Sequence, residues 1–344
     1  MFCLKKNGIK VNYILIIIFL LFCYSCEKLF MEPDSPSDPE AIFEEIWTFT
    51  DTHYSFFEYK NVDWDEVYDD YRPKIDEDMG AVELFDVCAD MLYELKDGHV
   101  NLVSAFDRSR YWEWYLDSPE NFYYSIIERY YFDGDQRYLG PLQFLDMGDI
   151  IYVYYGSFGN TISEGHMDAL VSNLENKEGL IIDVRNNGGG SPDNGRKLAS
   201  RFTEVKRFAG YNLVKQGPGH EDFTREEVYI HPYDGDRFTG NVVVLTNRRS
   251  YSATTYFTHY MSVLGDNVTL VGDTTGGGGG LPAVRDLPNG WLLRVSSSRF
   301  YCPEGVNIES GIPPDIQIDI DEEEAFARRE DPIIEKAIEV ILDK

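Results

Sequence analysis

From Asp149 onward the chain alternates short apolar runs with helix-period segments, and no other feature limits the possible folds as much. "IIYVYY" reads as a strand and "ISEGHMDALVSNLE" as an amphipathic helix. "GLIIDV" is a fully apolar strand running into "RNNGGGSPDN", and "NGRKLASRF" is helical again. "NVVVLT", "SATTYFTHYMSVLG" and "VTLVGD" repeat the order strand, helix, strand. "WLLRVSSSRFY" and "DIQIDI" add late strands, and "PIIEKAIEVILDK" a terminal helix. Strands joined by helical crossovers run parallel, and a strand covered on both faces reads as a continuous apolar run. The expectation is an α/β core with a mostly parallel sheet, spanning residues 105–344. There is no internal repeat.

Upstream, residues 41–104 read as a small helical subdomain, with helical spacing in "AIFEEIWTFTDTHYSFFEY" and "GAVELFDVCADMLYELKDGHV". Cys88 and His53 are expected in its core. Residues 105–150 are rich in Tyr and Asp and show no clear period. "EKLFMEPDSPSDPE", within 26–40, reads as a flexible tether. Residues 1–25 carry Lys5, Lys6 and Lys10 ahead of an apolar stretch, the pattern of a signal peptide. The stretch ends at Cys26, which resembles a bacterial lipoprotein signal cleaved before an acylated cysteine. That implies a membrane-anchored lipoprotein of the cell envelope, facing the periplasm or the cell surface. Three cysteines would then remain, too few for a disulfide scaffold. With 31 Lys+Arg against 60 Asp+Glu, net −29, the chain lacks the basic footprint that nucleic acid demands.

In open α/β sheets, sites form at the carboxyl ends of strands. Two such ends carry chemistry here. "LIIDVRNNGGG" puts Gly188, Gly189 and Gly190 directly after a strand, where glycines expose backbone N–H groups. "VVVLTNRRSYSA" puts Ser250 and Ser252 at the start of a helix. N–H groups from the two turns can form an oxyanion hole. The plainer alternative is a tight turn and a helix cap. There is no G-x-S-x-G, no H-E-x-x-H and no zinc spacing, and "GDTTGGGGGLP" lacks the ending of a phosphate-binding loop. No metal or nucleotide cofactor is expected.

"LKDGHVNL", "GLIIDVRNNGGG", "NRRSYSATTYF", "LVGDTTGGGGG" and "NIESGIPPDIQI" occur in the order seen in the tail-specific, or C-terminal processing, serine peptidases. The chain resembles that family over most of residues 41–320. The resemblance implies a crotonase-like α/β core, a polypeptide substrate, and Ser252 rather than Ser250 as nucleophile. It also marks two departures. The best-known branch uses a Ser/Lys dyad, but Gly278 stands at the lysine position and no lysine lies between Lys215 and Lys336. That branch also inserts a PDZ domain, and only some 45 residues separate "DGHVNLV" from "DIIYVYY".

The base must therefore come from elsewhere. His259 is seven residues past Ser252, about 10 Å along a helix. His166, His220 and His231 read as solvated. His99 follows a Lys-Asp-Gly turn, and the tricorn-core-like branch places its histidine in such a turn and a glutamate in a segment like "NIESGIPPD". The resemblance thus implies Ser252, His99 and Glu309 as a set, with Glu309 holding the imidazole directly or through a neighbour. Backbone N–H groups of Gly189 or Gly188, with Ala253, would bind the oxyanion. The reading is a serine endopeptidase acting on unfolded or extended polypeptide. Its rival is an inactive relative that binds peptides or apolar ligands on the same scaffold.

Overall fold

The computed structural model describes residues 36–343; residues 1–25, Cys26 and most of the expected tether lie outside them. Helix α1 (Pro39–His53) starts where the Asp38 carboxylate accepts the Ala41 N–H and Pro39 occupies the first turn. It is followed by α2 (Phe57–Lys60), α3 (Trp64–Tyr71) and α4 (Ala81–Tyr93). Their inward faces bury Ile42, Phe43, Ile46, Trp64, Leu84, Met91 and Cys88. His53 is only half-buried and stacks on Phe49 at 4.1 Å, so it lies at the rim of this core and not within it. After α4 the chain turns through Asp97–Gly98–His99 into β1 (Asn101–Val103) and β2 (Arg108–Arg110), then a short helix, α5 (Glu113–Leu116).

The central sheet has seven strands. These are β3 (Arg137–Leu139), β4 (Leu142–Asp146), β5 (Ile150–Tyr154), β6 (Gly179–Asp183), β9 (Asn241–Thr246), β10 (Val268–Gly272) and β14 (Ile316–Gln317), in the spatial order β14-β10-β9-β6-β5-β4-β3. The five from β5 to β14 run parallel, and β3 and β4 form an antiparallel margin. Helix α6 (Glu164–Asn173) crosses from β5 to β6, and α7 (Pro192–Ala199) follows β6. An outlying three-stranded sheet comprises β7 (Arg207–Lys215), β8 (Phe223–Ile230) and β13 (Ser298–Tyr301). Helix α8 (Ala253–Ser262) follows β9. Leu180, Ile182, Val242 and Val244 enter the core beneath α8, while Ile181, Val243 and Leu245 enter the core on the opposite face. The second face is closed by α9 (Glu322–Arg328) and α10 (Pro332–Leu342). Burial on both faces is why these strands carry no polar alternation.

The helical subdomain is not self-contained. Strand β1 pairs with β12 (Leu292–Ser296), which pairs in turn with β11 (Pro282–Asp286), giving an antiparallel sheet of order β11-β12-β1-β2. Leu287, Trp291, Leu293 and Val295 complete the core of the helices. "WLLRVSSSRFY" is therefore two strands serving two sheets, and of "DIQIDI" only Ile316 and Gln317 are strand. Among the described residues no helix is long and apolar enough to cross a membrane.

Candidate active site

The turns after β6 and β9 are built against each other. Asn187 is fully buried between them. Its side chain donates to Tyr155 O and accepts the Gly189 N–H, while its backbone carbonyl accepts from Tyr251 N and Thr254 Oγ1. Ser250 is equally buried and donates to Val184 O at 2.8 Å. That bond ties its hydroxyl to the scaffold. Ser252 is half-exposed, and its backbone has φ 60° and ψ −120°. A non-glycine residue here is strained by roughly 1–3 kcal/mol, and such strain is concentrated at functional turns. The Ser252 N–H donates to Gly277 O at 2.8 Å, which helps hold the conformation. The turn reproduces the sharp strand-to-helix geometry of a nucleophile elbow without the G-x-S-x-G pattern.

His99 Nε2 lies 2.9 Å from Ser252 Oγ. For the hydroxyl to donate to Nε2, the ring proton must be on Nδ1. Nδ1 is buried and makes no hydrogen bond of regular geometry among the described residues, and the backbone of Gly280 is the polar group that favours a proton on the ring. Desolvation pushes the His99 pKa down to about 4. The Arg294 and Arg110 charges add to that, and Asp97 and the Gly280 backbone oppose it. Asp97 is itself buried: Oδ1 accepts the His99 N–H at 2.7 Å, and Oδ2 accepts from Ser296 at 2.9 Å. Burial favours its neutral form, but the Lys60 and His99 charges outweigh burial and hold it below the usual carboxylate range.

Glu309 does not hydrogen-bond to His99. Its Oε2 accepts the Gly279 N–H at 2.8 Å, and its Oε1 faces Lys60 Nζ at 3.2 Å. Desolvation, and then the Asp97 charge, push its pKa up to about 7, against the opposing pull of Lys60. Burial lowers the Lys60 pKa less than Asp97 and Glu309 raise it, so its ammonium is stabilised there. The three expected side chains thus divide. Ser252 and His99 form one contact, and Glu309 supports the glycine run whose Gly277 carbonyl holds the Ser252 backbone. Asp97 and Lys60 were not singled out from the sequence. For Asp97 the signal was present, since an Asp two residues before a histidine commonly accepts that residue's N–H. Lys60 lies some 250 residues from Glu309 and gave none.

Glycine is required where the two turns touch. At Gly189 φ is +100°, and an added Cβ would meet Tyr251 O at 2.7 Å and the Ser252 Cβ at 2.8 Å. The Gly189 N–H is occupied by Asn187 Oδ1. Neither the Gly188 N–H nor the Ala253 N–H has an acceptor among the described residues. Ala253 opens α8, where the helix end favours developing negative charge. Of the three expected oxyanion donors, the local hydrogen bonding therefore leaves Gly188 and Ala253 uncommitted. Trp114, from the segment with no clear period, stacks on Tyr251 at 4.3 Å and covers the site's flank. A surface cavity of about 740 Å³ opens elsewhere, beside His259 and Cys302, and is lined by neither Ser252 nor His99.

The sequence profile of peptidase family S41 matches residues 149–318, and that of the tricorn protease C1 domain matches residues 35–93. A crystal structure of a candidate peptidase from Parabacteroides merdae superposes with a TM-score of 0.83 at 44% identity, over 89% of this chain and 98% of that one. The chain belongs to peptidase family S41. A chloroplastic C-terminal processing peptidase of Tetradesmus obliquus is 28% identical over 174 residues, 49% of this chain and 35% of that protein. The tricorn protease of Thermoplasma volcanium is 30% identical over 169 residues, 48% of this chain and 15% of that protein. The matched part of this S41 chain thus spans about a third or less of these two curated relatives. At Gly278, where the Ser/Lys branch of S41 has its lysine, φ is +76° and an added Cβ would lie 2.5 Å from the Tyr251 ring. The aromatic ring fills the space that a lysine stem would use.

Proposed function

We propose that this chain is a serine endopeptidase that cleaves unfolded or extended polypeptides through an acyl-enzyme. The observation that carries this reading is the 2.9 Å contact between His99 Nε2 and a half-exposed, strained Ser252. His99 accepts the Ser252 proton as Oγ attacks the peptide carbonyl, and then protonates the leaving amine. The oxyanion is met by the Gly188 and Ala253 N–H groups. Asp97, two residues from the ring and ionised, stabilises the imidazolium through space. Burial keeps His99 neutral in the resting state, so the base is in its accepting form at neutral pH. An extended substrate suits the open edge of β2, beside the site.

The reading also places the protein at the cell envelope, anchored in the bilayer by an acylated Cys26. Its support is the lysine-flanked apolar stretch that ends at that cysteine. Loss of lipid label and release from membranes in Cys26→Ala is the expected result; unchanged membrane retention without label would sink the anchor.

The chemistry is tested with protein lacking residues 1–25, using a denatured protein and quenched peptides as substrates. A fluorophosphonate should label Ser252, as read by peptide mass. Ser252→Ala and His99→Ala should each lower kcat by roughly 10⁴-fold or more. Full activity in Ser252→Ala would remove the nucleophile assignment, and full activity in His99→Ala the base.

A further inference from the structure

Two guanidinium groups beside the Ser252–His99 pair have no anionic partner among the described residues. Arg110 on β2 and Arg294 on β12 lie opposite Asn101 of β1, one on each side. Directly opposed residues share a face, so the three form one row across the sheet. Two interstrand spacings, about 10 Å, separate the arginine backbones, within range for both side chains to meet one small group. Arg110 Cζ is 5.7 Å from the Tyr251 ring, and that ring is 4.9 Å from His99. Arg110 also stacks on Trp112 at 4.3 Å. Arg294 reaches Asn101 Oδ1 at 3.5 Å. Both charges are felt at His99 and at Tyr251.

Elsewhere, well-buried arginines are paired: Arg185 with Asp183 and Asp331, Arg201 with Glu164 and Asp168, Arg299 with Glu221. Arg110 and Arg294 form no ion pair among the described residues. Both are half-buried, and Arg110 Nε is buried with no acceptor among the described residues. Leaving a partly desolvated cation unpaired is costly. With 60 acidic residues in the chain, a local carboxylate was not scarce. The row crosses the sheet and ends at the open edge of β2, where a substrate chain would lie.

Resting on the peptidase reading above, we propose that Arg110 and Arg294 form a subsite for a carboxylate of the bound polypeptide, next to the scissile bond. The guanidinium fork matches a carboxylate through paired N–H donors. The carboxylate is either an Asp or Glu side chain or the free end of the chain, and the peptides below separate the two.

The experiment measures binding to the Ser252→Ala protein by fluorescence anisotropy, so that no turnover is needed. One peptide sequence is made in four forms: with Glu or Gln at positions flanking the cleavage point, and with a free acid or an amide terminus. Removal of the recognised carboxylate should weaken binding roughly 10-fold or more. Loss on Glu→Gln identifies a side chain, and loss on amidation identifies the terminus. Arg110→Gln and Arg294→Gln should each shrink that difference, and the double variant should abolish it. Arg→Lys variants keep the charge and should retain part of it; thermal melts check that each variant is folded. Equal affinity for all four peptides overturns the subsite while leaving the peptidase reading intact. No binding of any form overturns both.

Discussion

At Asp97 a single carboxylate serves both the shape and the charge of the site. Its Oδ1 fixes the His99 backbone, and its charge is the largest influence raising the affinity of that ring for a proton. Asp97→Asn separates the two roles, because the amide oxygen still accepts the N–H and Ser296 can rotate its hydroxyl to suit. The sign follows from the direction of the His99 shift. Burial holds its pKa near 4, so the accepting form persists well below the ordinary value of 6.5, and the acid limb of kcat/KM belongs near pH 4. Without Asp97 the limb should move to still lower pH. At neutral pH kcat should fall by about 10–100-fold, because the imidazolium formed during acyl transfer loses its counter-charge. A pH–rate profile of the variant checks both. An unmoved limb with unchanged kcat would leave Asp97 a purely structural residue. Lys60 enters through the same charges: it keeps both Asp97 and Glu309 nearer their ionised forms.

At the level of elements, the site is the place where the β6 and β9 turns interlock. Gly189→Ala tests this. The methyl would press on Tyr251 O and Ser252 Cβ at a positive φ. The expected outcome is a kcat loss of about 100-fold or more from displacement of the serine turn, with about 1–3 kcal/mol of destabilisation, read by kinetics and melting. These turns were legible in the sequence because β6 and β9 are unbroken apolar runs ending in glycines and serines, a combination with few other uses. The α8 start was legible for the same reason. The strain at Ser252 was not, since no local pattern encodes it; the Gly277 carbonyl imposes it from a distant loop. Residues 105–120 were opaque because Trp112, Trp114 and Tyr115 follow neither helix nor strand period, and the position of Trp114 is set by Tyr251. Arg185 shows the same limit. Its charge stood in plain view in "DVRNN", but its burial between Asp183 and Asp331 depends on the far C-terminal helix.

On the scale of the whole molecule, the nucleophile and its base belong to different cores. Ser252 rides on α8 over the parallel sheet, whereas His99 leaves the helical unit at the head of β1. The two are brought into register by β12, whose Leu293 and Val295 fill the helical core while its backbone pairs with β1. Leu293→Ala should cost about 2–5 kcal/mol and should depress kcat at temperatures where the protein is still folded, because β1 loses its backing. An unchanged kcat with lowered Tm would uncouple the two cores. Helical periodicity in residues 41–98 announced the subdomain, but its dependence on residues 282–296 is non-local and left no mark there. The order of the parts along the chain has a consequence for biosynthesis. His99 emerges early from the ribosome, Ser252 much later, and the strand that aligns them later still. A growing polypeptide therefore cannot hold Ser252 against His99 until that strand has been made, and the stretches synthesised before it meet no assembled pair from their own chain.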